Sequence, residues 1–196
     1  MVRTARLSTL ARITAAIDAF NDRIGRGVAW LALAMVLVQF LVVLLRYVFG
    51  VGALYLQELI IYLHGTMFML GAGYTLLYNE HVRVDVFYRE AAARRQAVVD
   101  LAGVVLFLLP VCTLITIYSW PYITKAWAVR EGSIEASGIQ GVYLLKTVIL
   151  IFTALMALQG IALALRSILR LAGTTPPPLP AERRARQSEN AAGTGA

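Results

Sequence analysis

Six residues hold most of the chemistry this sequence could offer: Arg46, Glu58, His64, His81, Asp85 and Lys146. Two histidines raise the question of haem. His64 and His81 stand 17 residues apart on one segment, or about 25 Å along a helix, so one haem cannot take both. Met67 or Met69 would share a helix with His64, whereas axial ligands come from facing helices. His64 is therefore expected to be buried and hydrogen-bonded. His81 and Asp85 are four apart and would face the same way on a helix. They are expected to fasten the connector or a larger partner by hydrogen bonds, or else to be solvated. Two such ligands with no third nearby make a poor metal site. No glycine-rich phosphate loop, H-E-x-x-H or G-x-S-x-G is present. A single cysteine, Cys112, allows no internal disulfide and no C-x-x-C pair. No catalytic, metal or cofactor centre is expected, and the polar groups are then structural or interfacial.

The elements that must position them are membrane helices. Hydrophobic residues make up 59% of the chain and mean hydropathy is +0.71, outside the range of soluble domains. Four runs, about 28–49, 54–78, 98–120 and 142–165, reach the ~20 residues a spanning helix needs. The expected fold class is an all-α membrane protein with four transmembrane helices. Pro110 is expected to kink the third, because proline removes a backbone donor and clashes with the preceding turn. Residues 1–27 hold five arginines, and Leu10, Ile13, Ile17, Phe20 and Ile24 recur at helical spacing. They predict an amphipathic helix on the membrane surface. A cleaved signal peptide is the rival reading, but both the basic region and the apolar run are too long for one. Three divisions result: a basic segment at 1–27, a four-helix domain at 28–165 and a cytoplasmic tail at 166–196. The tail carries TPPPLP and then a polar stretch, and is expected to be mostly disordered. Residues 121–141 form the longest internal loop.

Lysine and arginine are unevenly placed. Fourteen lie before the first span, between the second and third, or after the fourth, and four lie elsewhere. Positive charge marks cytoplasmic segments, so both termini are expected in the cytoplasm. Arg46, Glu58 and Lys146 then fall at one depth, about one turn (~5 Å) inside the outer boundary. Unpaired charge there is costly, which favours an Arg46–Glu58 pair with Lys146 nearby; the alternative is that Arg46 and Lys146 snorkel to the interface separately. Glu58, Tyr62, Gly65, Met69, Ala72 and Leu76 share one face of the second span. Its small residues, with Gly73 close by, allow a helix to approach closely. That helix could belong to a partner or to this chain's own bundle, and the sequence leaves both open.

Three segments carry a family resemblance: LLRYVFG closing the first span, LQELIIYLHGTMFMLGAGYTLLYNEHVRVDVFY through the second, and REGSIEASGIQGVYLLK before the fourth. With the four-span layout they resemble the small membrane subunit of a tripartite ATP-independent periplasmic (TRAP) transporter, the DctQ-like family. Tyr55 and Gln57 stand where many members carry a tryptophan and a second acidic residue. The resemblance implies a non-catalytic scaffold in the bacterial inner membrane. Its implied partners are a large permease subunit, which carries the substrate and Na⁺ sites, and a soluble periplasmic binding protein. Membrane lipid surrounds it, and no nucleic acid is implied. The cargo would be an organic acid or similar small solute, taken up with Na⁺. On the residues alone two other classes stay open: a membrane anchor of a redox enzyme, and a stand-alone small transporter. The second would need broken helices in two related halves, and no internal repeat is seen.

Overall fold

The first helix, α1 (Val2–Val48), runs unbroken for 47 residues. No proline interrupts it. At 1.5 Å per residue it is about 70 Å long, more than twice a ~30 Å hydrocarbon core. The expected boundary at residue 27 is therefore absent: the basic segment and the first span are one helix. The computed structural model describes residues 2–81, 88, 91–135 and 137–193, with side chains described between 7 and 190 in those ranges. After α1 come α2 (Leu54–Leu77), α3 (Ala93–Gly103), a π-helical turn (Val104–Leu108), α4 (Leu109–Ala128), α5 (Val142–Leu171) and α6 (Pro180–Gly193). Among the described residues there is no strand, and four helical stretches are long and apolar enough to cross a membrane.

The π turn has a local cause. Leu109 donates its N–H five residues back, to Val104 O. Pro110 has no N–H and its ring crowds the turn before it, so widening that turn makes room for the ring. The third span therefore carries a π-helical turn beside Pro110, where a kink was expected. It also runs past Trp120 and through Pro121 to Ala128, which shortens the loop that follows.

Three helices end alike. Asn79 (φ 61°), Arg130 (φ 46°) and Gly173 (φ 76°) adopt left-handed backbone. The next residue then donates five back: Glu80 to Thr75 O at 2.9 Å, Glu131 to Ala126 O at 2.9 Å and Thr174 to Leu169 O at 3.0 Å. Each bond satisfies a carbonyl that the helix end would leave free.

The tail departs from expectation. It forms α6 in place of a mostly disordered stretch. Pro180 takes the first helical position, where its missing N–H has no helical partner to lose. Glu182 Oε2 accepts the Leu179 N–H at 3.1 Å, half of a capping box.

The chain divides into two compact units. One comprises Met1–Arg23, Thr75–Pro110 and Met156–Ala196, and the other Ile24–Tyr74 and Val111–Leu155. In the first, Gly160 of α5 lies so close to the π turn that a Cβ would collide with Leu108 and touch Val104. In the second, Gly25 of α1 seats the ring of Tyr74 from α2. Residues 49–53 alone join those helices, and the pair runs antiparallel. α5 is the most internal span: 28% of its most apolar window is buried, against 6–11% for the others.

Candidate functional site

In the first unit, Thr14, Asp18, Asn21 and Asp22 recur along α1 at helical spacing, and all four are buried. Of the apolar residues expected on its buried face, Ile13 and Phe20 are exposed. The amphipathic pattern is real, but its polar side faces inward. A surface-lying helix would bury the other side.

Two acids organise that polar side. Asp18 accepts from Gln159 Nε2 of α5 at 3.1 Å and forms an ion pair with Arg166 of α5. Gln159 Oε1 in turn accepts from Asn21 Nδ2 at 2.8 Å. Arg166 donates its other nitrogen to Pro177 O at 2.7 Å, which ties the strap before α6 to α5. Asp22 is gripped by Arg184 of α6 through two nitrogens, at 2.5 and 3.0 Å. It also accepts the Tyr78 hydroxyl at 2.6 Å. Burial and that bond push the Tyr78 phenol up to about 12. Two acids and two guanidiniums thus balance in charge, with planar forks suited to carboxylates. A cavity of about 280 Å³ borders this network, lined in part by Asn79, Asp100, Gln159, Arg166 and Arg170.

In the second unit, Glu58 of α2 holds the loop before α5. It accepts the Ser133 hydroxyl and, at 2.6 Å, the Ile139 N–H. Lys146 of α5 pairs with Glu131 at 2.5 Å and lies 3.9 Å from the Tyr122 ring centroid. Trp127 donates to Thr147 at 2.8 Å and packs edge-on against Tyr143. The expected Arg46–Glu58–Lys146 cluster is therefore corrected. Glu58 spends its oxygens on the loop, Lys146 turns to Glu131, and Arg46 is exposed in the last turn of α1. There its charge complements the helix dipole.

Other expected sites fall as follows. His64 is exposed and stacks on Phe68 with centroids 6.3 Å apart, contrary to the buried histidine expected. A Cβ on Gly65 would meet Leu145 at 3.4 Å, and Gly73 is buried. The Glu58–Gly65 face thus packs against this chain's own α5 and its preceding loop. His81 is exposed, and Asp85 lies outside the described residues.

A family model described as "Tripartite ATP-independent periplasmic transporters, DctQ component" matches residues 35–170. The chain belongs to this family. As a DctQ component it is the small membrane subunit of a TRAP transporter and a multi-pass inner-membrane protein. Neither curated proteins nor solved structures give a match. Glu58, Lys146, Gln159 and Arg166 lie within the matched stretch, whereas Asp18, Asn21, Asp22 and Arg184 lie outside it. The first-unit network went unread in the sequence. Its signal was there as the 14, 18, 21, 22 polar spacing on α1.

Proposed function

We propose that this DctQ subunit is a non-catalytic scaffold for a large permease subunit. The permease would carry the substrate and coupling-ion sites, with Na⁺ as the coupling ion. A periplasmic binding protein would deliver an organic acid or similar small solute. One observation supports this most: Asp18 and Asp22 are both held by guanidiniums of the same chain. Ionisable groups in a membrane protein are candidate ion pathways by default. Here they clasp α1 to α5 and α6, as a structural role requires. The fourteen-to-four split of lysine and arginine supports cytoplasmic termini, with the Glu58-bound loop outside. His81 and Asp85 would then fasten the cytoplasmic connector.

Reconstituted uptake tests the role. Liposomes holding this chain, the permease and the binding protein should accumulate solute along a Na⁺ gradient. Liposomes holding this chain alone should match empty ones. Uptake by the chain alone would overturn the scaffold reading in favour of a stand-alone transporter.

A further inference from the structure

The hairpin of α1 and α2 in the second unit presents a surface that lipid serves poorly. Gln39 of α1 and His64 of α2 are both exposed. Gln39 lies nine residues before the end of α1 at Val48, and His64 ten after the start of α2 at Leu54. At 1.5 Å per residue, both sit about 14–15 Å from the connecting turn, near the middle of a ~30 Å hydrocarbon core. Among the described residues, neither side chain has a hydrogen-bond partner.

The surroundings of His64 point the same way. It is in helical register with Ile61 and Phe68, which are 62% and 69% exposed. Gly71 continues the stripe, with nothing within 4 Å of where its Cβ would be, so a backbone can approach there. The best window of α2 has a hydropathy of 1.3, against 2.8 for α1, yet both are only 6% buried. The least apolar span is thus as exposed as the most apolar one. Hydrocarbon offers no donor or acceptor, whereas glutamine and histidine side chains hydrogen-bond across neighbouring helices.

We infer that this hairpin face seats a transmembrane helix of the large permease subunit, one that offers hydrogen-bonding side chains at the level of Gln39 and His64. The inference rests on the proposed scaffold role. It adds which surface makes the contact and what chemistry the contact needs. The Glu58–Gly65 face is occupied within this chain, which leaves the outward stripe for the partner.

Co-purification tests it. The chain is co-expressed with the permease, extracted in mild detergent, and the permease retained per chain is measured. The double variant Gln39→Leu, His64→Leu makes both helices more apolar, so membrane insertion is preserved. It should retain about three- to thirtyfold less permease, the range set by interhelical hydrogen bonds. Ile117→Ala, on the exposed side of α4, should retain the wild-type amount. A double variant that matches wild type overturns the assigned face and leaves the scaffold role standing. A wild-type chain that retains no permease overturns both. In a His64→Cys variant, crosslinking should reach the permease; crosslinking to a second copy of this chain overturns the assigned occupant.

Discussion

The two units use polar residues differently. The first joins three distant chain segments through buried charge: Asp18 and Asp22 on α1 meet Arg166 on α5 and Arg184 on α6. The second holds its loop mainly through Glu58, which accepts a hydroxyl and a backbone N–H, with the Glu131–Lys146 pair beside it. Buried ion pairs cost desolvation that their attraction only roughly offsets, so they define which segments meet more than they add stability. The Glu58 carboxylate gives the Ile139 N–H an acceptor from outside the loop's own main chain. The first unit should therefore be sensitive to unbalanced charge, and the second to loss of one acceptor.

The largest effect is expected in the first unit. Asp18→Ala leaves Arg166 without its carboxylate, and should lower stability in detergent by ~3–5 kcal/mol. The balanced double variant Asp18→Leu, Arg166→Leu should recover much of that loss in a thermal or denaturant unfolding series. If the single and double variants lose stability additively, the pair is not a coupled clasp.

Next comes the second unit. Glu58→Gln keeps one acceptor oxygen and loses the charge, so the loop should loosen while α2 persists. Limited proteolysis within 129–141 should become several-fold faster. Arg46→Glu combined with Glu58→Arg should not restore protection, because Arg46 makes no contact with Glu58. Rescue by that reversal would revive the charge cluster that the structure dissolves.

A smaller effect belongs to α6. Arg184→Ala should speed amide exchange over α6 while leaving α1 and α5 protected, since the Arg184 side chain is 43% exposed and partly screened. The Tyr78 phenol should then titrate differently. In the intact chain it stays neutral above the ordinary value of 10, to about 12. Its contribution to stability is full below pH 10 and fades between 10 and about 12. Ultraviolet titration against Tyr78→Phe should show that one late phenol.

The smallest change expected is a gain. Arg130 sits at φ 46°, a strained region for a side chain that glycine enters freely. Arg130→Gly should raise stability by about 1 kcal/mol, read from the unfolding midpoint.

Much of this architecture was legible from pattern alone. Length and apolarity gave the four spans, and Pro110 gave the disturbance beside it. The tail helix was also written in the sequence, as Pro180 followed two residues later by Glu182, but its polar composition masked that signal. Periodicity showed that α1 is two-sided without saying which side is inside. A membrane admits apolar side chains outward, so the usual assignment inverts at Thr14, Asp18, Asn21 and Asp22. Depth placed Arg46, Glu58 and Lys146 at one level, but depth does not fix lateral neighbours. The fold of the 129–141 loop over Glu58 decided the pairing, and no local signal announced it. The Asp18–Arg166 contact joins residues 148 positions apart, beyond the reach of any spacing rule.

On the scaffold reading, the buried charges clasp this subunit together and do not conduct. Uptake by the assembled transporter carrying Asp18→Leu, Arg166→Leu, normalised to complex recovered, tests it most directly. Near wild-type uptake per complex is expected, with unchanged dependence on Na⁺ and pH. Normal assembly with lost or uncoupled uptake would contradict it and place these charges on the transport path.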